Sequence, residues 1–215
     1  MEQYDWIWFI SSGAFITLKY SIISVTLGMI IGIIIALMRI THITILRAFA
    51  IAYVSVIRGT PLLVQLSLFY FAIPAITGYS ISVFAAGILA FSINSGAYLS
   101  VHIYSGINGV DQGQVEAAKA LGIPYWSMMR DIVLPQAFAR ILPSLVNEMV
   151  NMVKESSIIA ILGEADLMRR AQIVAAEQYT YMAPLLVAGG CYYVIVTILS
   201  IIAGKIEAKV YVKNN

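Results

Sequence analysis

Arg58, Lys154, Glu155 and Asn94 lie inside long apolar stretches of the chain, where charges and amides are expensive. A charged side chain at the centre of a bilayer costs at least ~2.5–3.5 kcal/mol, so a residue kept there is a functional candidate by default. Their types suit recognition of a solute that carries both charges. Arg58 can grip a carboxylate through two parallel hydrogen bonds, and Glu155 can take an ammonium or guanidinium. Thr60, Gln65, Asn94, Ser156 and Ser157 supply neutral hydrogen bonds beside them. The competing reading is structural, with Arg58, Lys154 and Glu155 pairing with one another or lining a water path. Structural ion pairs perturb charges as readily as sites do, so the residues alone leave both readings open. Covalent chemistry has little support: there is no H-E-x-x-H motif and no nucleophile, base and orienter set.

The elements that carry these residues follow from composition. Of the 215 residues, 60% are hydrophobic and 11% charged, and the mean hydropathy is +0.87. A water-soluble domain holds about 25% charged residues, so the solvent of this chain is largely lipid. A net charge of +2 is too small to argue for nucleic acid. About 20 apolar residues cross the hydrocarbon core. By that measure five spans are predicted, over about Gly13–Met38, Leu46–Ile73, Ser80–Tyr104, Pro143–Leu162 and Tyr181–Gly204. Pro74 and Gly78 are expected to break the second, and Pro143 to open the fourth.

Arg39, Arg47, Lys119, Arg130, Arg140, Lys205, Lys209 and Lys213 then fall on one side. Glu2, Asp5 and the mixed stretch Gly163–Gln178 fall on the other. The positive-inside rule puts the N-terminus outside and the C-terminus in the cytoplasm. The acidic start MEQYDW does not resemble a cleavable signal peptide. Counting residues along each helix at about 1.5 Å apiece puts Arg58, Asn94, Lys154 and Glu155 about 12–18 Å above the cytoplasmic interface. Transporter sites tend to lie at that depth, between broken helices, and Gly59 and Pro61 are expected to loosen the backbone beside Arg58.

The loop between spans three and four, about residues 106–140, is hydrophilic and sharply punctuated. Asp111 is the expected N-cap of a helix over Gln114–Leu121, with Gln114 closing a near capping box. Gly122 is the expected stop. Pro124 opens a second helix, Tyr125–Val133, which Pro135 is expected to end. Val115, Ala118, Leu121, Tyr125, Met128, Met129 and Ile132 make an apolar face, and Ala117 with Ala118 keeps one side thin. Such a hairpin suits headgroups or the groove of a soluble partner.

Glu116-Ala117-Ala118, then Gly122, then Ile132, Leu134 and Pro135, resembles the cytoplasmic loop motif of permease subunits of ABC importers. Arg58-Gly59-Thr60-Pro61-Leu62 with Gln65, and Lys154 to Ser157, are similar to the polar amino-acid branch. The resemblance implies an all-α membrane protein of about five transmembrane helices, a single permease domain over residues 1–215, with a cytoplasmic coupling-helix hairpin. It implies that Glu116, Ala117, Ala118, Ala120, Leu121 and Gly122 seat on ATP-binding cassette ATPase subunits. ATP and Mg would be held there, since this chain has no G-x-x-x-x-G-K-[ST] loop and is expected to carry no cofactor, metal or catalysis of its own. The further implied partners are a second permease copy, with a homodimer favoured, an extracytoplasmic amino-acid-binding protein and membrane lipid, in the cytoplasmic membrane of a prokaryote. Arg58, Thr60, Gln65, Asn94, Glu155, Ser156 and Ser157 are the expected substrate residues. Glu155, Glu164 and Asp166 tilt the cargo towards basic amino acids such as arginine, lysine or histidine, with glutamine the alternative. An ion-coupled carrier or channel using the same midplane charges is the rival mechanism.

Smaller features complete the reading. Lys19 is expected to snorkel at the outer interface. His42 and His102, at membrane boundaries, are expected to hydrogen-bond locally rather than bind metal. Cys191 is the only cysteine, so no intrachain disulfide forms. Gly28 and Gly32 make a G-x-x-x-G, weak as a motif, that would let another helix approach.

Overall fold

The computed structural model describes the backbone of residues 5–213, and the side chains of all of these except 207 and 209–213. Glu2 therefore lies outside the described residues, as do the side chains of Lys209 and Lys213. The described chain is helical, with no strand among those residues. Its helices are α1 (Asp5–Ser12), α2 (Ala14–Ile40), α3 (Thr44–Arg58), α4 (Leu62–Ser67), α5 (Ile73–Thr77) and α6 (Val83–Asn108). They continue as α7 (Gln112–Ala120), α8 (Tyr125–Met128), α9 (Leu134–Glu155), α10 (Leu167–Glu177) and α11 (Met182–Lys213).

α2 and α6 form the central seam. They run parallel in one register: Tyr20 lies against Gly87, Gly28 against Ser95 and Gly32 against Leu99. A Cβ on Gly28 would sit 2.8 Å from the Ser95 Cβ, and one on Gly32 would sit 3.0 Å from the Leu99 Cβ. Close approach of the two backbones is therefore what these glycines provide, as the G-x-x-x-G spacing predicts. Above the seam Tyr20 is buried, with edge-on rings of Phe84 and Phe91 at 5.2 and 5.9 Å.

The second span is not one straight helix. α3 and the run from α4 to α5 meet at 101°, with the break at Gly59–Pro61. Pro61 cannot donate to the ladder, which frees the carbonyls at the end of α3. Pro74 does not end the helix as expected; it lies in the first turn of α5, and the stop comes at Gly78, with φ 75°. Pro135 likewise does not end the hairpin helix, which runs on into α9, and Pro143 lies inside α9 rather than opening it. One device explains both tolerated prolines. A π-turn, Leu68–Ala72 or Met129–Val133, ends just before each of them. The N–H of Ile73 reaches back to Leu68 and that of Leu134 to Met129. Widening the helix by one residue relieves the clash a proline ring makes with the carbonyl four residues back.

The fourth predicted span is also not uniformly apolar. α2 with α1, α6 and α11 are long and apolar enough to cross a membrane, and the bent α3–α5 pair joins them. α9 lacks that composition because one of its faces is polar. Towards the outer side, α10 is clamped between the N-terminal helices and α11. The Arg170 guanidinium donates to Phe9 O at 3.0 Å and to Ser12 Oγ at 2.6 Å. Asp166, fully buried, accepts the Arg169 N–H as the N-cap of α10 at 2.8 Å and the Tyr192 hydroxyl at 3.2 Å.

Candidate functional site

The bend at Gly59–Pro61 is held by side chains from two spans. The Gln65 amide donates to Ile57 O at 2.8 Å and lies 2.9 Å from Thr60 Oγ1. Gln65 thus satisfies carbonyls that the broken helix leaves without partners. Its Oε1 in turn accepts the Asn94 amide of α6 at 3.1 Å, and both residues are buried. Thr60 Oγ1 donates back to Val56 O at 2.9 Å. Arg58, at the last turn of α3, is exposed, and its guanidinium lies over the Tyr98 ring of α6 at 4.8 Å.

Lys154 and Glu155 end α9 and are exposed, and the charge that acts on Glu155 is that of Lys154 rather than Arg58. The backbone then tightens into a 3₁₀ helix, Ser156–Leu162. Ser156 is buried and donates to Val153 O at 3.0 Å; Ser157 donates to Lys154 O at 2.7 Å. Both hydroxyls therefore serve the helix junction locally. No ion pair links Arg58, Lys154 and Glu155 among the described residues, whereas Arg130 pairs with Asp131 in the loop between α8 and α9. Arg58 and Glu155 thus form no ion pair with each other. Lys19 is exposed, and its ammonium sits over the Phe84 ring at 4.4 Å.

Sequence reasoning passed over Glu148. It lies on α9 and is turned into the interior, 7% exposed. The signal was available, since Glu148 stands in an otherwise uncharged stretch between Pro143 and Lys154.

The cytoplasmic hairpin has the expected stop. Gly122 adopts φ +70°, and the Ile123 and Gly122 N–H groups close on Ala118 O and Lys119 O at 3.0 Å. This is a Schellman end to α7. Two details differ from expectation. Asp111 caps the Gly113 N–H at 2.8 Å, but Gln114 closes no capping box; its Oε1 accepts the Gln136 amide of α9 at 2.7 Å. Ala118 is buried rather than open to a partner, packing with Val110, Met128 and Val133 under the loop. Glu116, Ala117, Ala120, Leu121 and Gly122 are exposed, as are Tyr125 and Trp126. Leu121 at 79% and Trp126 at 81% exposure project apolar surface where positive-inside counting places the cytoplasm.

Adjacent parallel spans, a long apolar helix broken beside the exposed Arg58, and a hairpin with bare apolar tips define a helical membrane protein. Residues 7–211 match the family described as "Binding-protein-dependent transport system inner membrane component", and the chain belongs to that family, among the amino-acid ABC transporter permeases. It is 54% identical over 212 residues to the "Putative glutamine transport system permease protein GlnP" of Rickettsia typhi, covering 99% of this chain and 97% of that one. It is 46% identical to the "Arginine transport system permease protein ArtQ" of Bacillus subtilis, covering 94% and 92%. Among solved structures it is similar to one described as an amino acid ABC transporter with histidines, at TM-score 0.89 and 41% identity over 94% of each chain. The fold is shared with the MetNI methionine ABC transporter at TM-score 0.80 and 21% identity, over 98% of this chain and 99% of that one.

Proposed function

We propose that this chain is the membrane-spanning subunit of an ATP-driven importer that carries polar amino acids, basic ones foremost, into the cytoplasm of a prokaryote by alternating access. The observation that supports the substrate reading is one exposed charge of each sign, Arg58 and Glu155, at two helix ends that residue counting puts at a similar depth. Arg58 and Glu155 are exposed, oppositely charged and not neutralised by each other, which suits a solute bearing a carboxylate and a cation. Thr60 and Ser157 lie beside them, while Gln65, Asn94 and Ser156 hold the backbone that presents them. A second reading, glutamine as cargo, is favoured by the printed name of the Rickettsia relative.

Energy comes from a separate chain in this reading. The exposed face of the hairpin, with Glu116, Ala117, Ala120, Leu121 and Gly122, seats in a groove of an ATP-binding cassette subunit, and ATP and Mg belong to that subunit. Ala118 supports the hairpin from beneath. A second copy of this chain completes the pathway, because Arg58 and the polar face of α9 would otherwise meet hydrocarbon. An extracytoplasmic binding protein delivers the cargo. Glu155→Gln in the reconstituted complex tests the site: arginine and lysine uptake should fall well below glutamine uptake. Equal losses for all three would reduce Glu155 to a structural role.

A further inference from the structure

Asn94, Tyr98 and His102 recur every four residues along α6. At about 100° per residue they share one side of the helix, spread over roughly 80°. That side meets the broken span. Asn94 bonds to Gln65, and the ring of the half-buried Tyr98 lies under the Arg58 guanidinium at 4.8 Å. His102, one turn further on, feels the Arg58 charge. The Tyr53 hydroxyl of α3 donates to Ile93 O of α6 at 2.6 Å, which ties together the two helices that carry Arg58 and Tyr98.

A ring face attracts a guanidinium without taking its N–H groups into conventional hydrogen bonds. No ion pair occupies those donors among the described residues. A carboxylate in the place of Tyr98 would hold Arg58 as firmly, but it would consume the fork that a second carboxylate needs. An aliphatic side chain there would leave Arg58 to sample its rotamers, and an arriving ligand would meet the cost of ordering it.

We propose that Tyr98 is a positioning residue for cargo recognition: its ring seats the Arg58 guanidinium with the donors open, so that the fork is set before a carboxylate arrives. The inference rests on the reading above in which Arg58 takes the cargo carboxylate, and it adds the residue that orients Arg58.

The test is equilibrium binding of labelled arginine, and of agmatine, which is arginine without its carboxylate, to the purified complex of permease and ATPase. The binding protein is left out, so that its own affinity does not set the result. Tyr98→Leu should weaken arginine binding roughly two- to thirtyfold, the span of a ring–cation contact from exposed to desolvated, and leave agmatine binding unchanged. Tyr98→Phe keeps the ring face and should bind arginine within about twofold of wild type. Beside Arg58→Gln, Tyr98→Leu should cost arginine nothing further, because the two side chains act as one unit. Equal losses for arginine and agmatine, or a Tyr98→Leu loss that persists in full beside Arg58→Gln, would make Tyr98 a packing residue and overturn the inference. A Tyr98→Phe loss as large as that of Tyr98→Leu would assign the effect to the hydroxyl, against the ring seat. Arginine binding weakened by Arg58→Gln but not by Tyr98→Leu would overturn the inference and leave the carboxylate reading standing. Arginine binding unmoved by Arg58→Gln, or absent from wild type, would remove that reading and the inference with it.

Discussion

The Asn94 amide of α6 donates to Gln65 Oε1 at 3.1 Å, which leaves the Gln65 amide pointed at Ile57 O, 2.8 Å away. One residue on a straight span therefore sets the orientation of a residue that bridges a 101° break in another. Arg58 is the next residue after Ile57, so the same relay fixes where its guanidinium emerges.

Gln65→Leu should cost more than Asn94→Ala. Leucine takes from the part-buried Ile57 carbonyl its 2.8 Å donor and leaves only the Thr60 hydroxyl at 3.5 Å, worth about 1–3 kcal/mol. Alanine at position 94 frees Gln65 to rotate but leaves it able to bond. Thermal melting of the purified complex should rank wild type above Asn94→Ala and that above Gln65→Leu. The reverse order would show that the relay does not govern the bend.

Gly122→Ala separates coupling from folding. Nothing lies within 4 Å of a Cβ placed there, so the cost comes only from φ +70°, about 1–2 kcal/mol. A strained stop should shift the exposed Leu121 and Trp126 tips and lower substrate-stimulated ATP hydrolysis several-fold. The permease should still elute and melt close to wild type. Unchanged stimulation would argue against the hairpin as the coupling element. Glu116→Lys makes the complementary test through charge alone.

Gly28→Val should damage the fold itself. The added carbons meet Ser95 Cβ at 2.8 Å, with the Gly96 backbone behind it. Overpacking of this kind costs about 1–3 kcal/mol, and here it would part the α2–α6 seam. Loss of monodisperse protein is the expected result, whereas Gly189→Ala on α11, with nothing within 4 Å of the new Cβ, should be neutral.

Asp166 predicts a pH effect. Burial pushes its carboxyl up from 3.8 to about 6, opposed by the hydrogen bonds it accepts. The folded state therefore holds the proton more tightly than the unfolded state does. Its contribution to stability rises as pH falls from about 6 towards 3.8, and the cost of burying the ionised group is fully present above 6. Asp166→Asn removes that titration and keeps an N-cap. Relative to Asp166→Asn, wild type should gain melting temperature between pH 7.5 and pH 5, at roughly 2–4 °C per kcal/mol. A constant difference would mean that Asp166 does not titrate in that range.

Asn151→Asp should expose the release step. A carboxylate at the exposed position 151, one turn from Glu155 on α9, would hold a departing guanidinium. For arginine, kcat should fall and KM should fall with it, as retention of bound cargo requires. Glutamine uptake should change little, and equal changes for both would remove the charge-based account.

Much of this was legible in the sequence because the relevant signals are local. The Gly122 stop, the break at Arg58–Pro61 and the close approach at Gly28 and Gly32 each depend on what one residue type permits. The failures came from signals with a tertiary counterpart. Pro135 and Pro74 read as stops because a π-turn leaves no residue signature of its own. The polar face of α9 lowered its hydropathy, which moved the apparent start of the span to Pro143, although the helix begins at Leu134. Ala118 is small in either setting, and only packing shows that it is spent inside. Gln114 had two partners in reach by sequence, its own helix end and the distant Gln136, and the distant one holds it.

Uptake by the reconstituted complex tests the central claim most directly. Proteoliposomes would contain this permease, its ATPase and its binding protein, with ATP supplied on the ATPase side and labelled arginine on the other. The account predicts accumulation that requires ATP hydrolysis and is suppressed by unlabelled lysine more strongly than by glutamine. Accumulation without ATP, driven by an ion gradient, would contradict it.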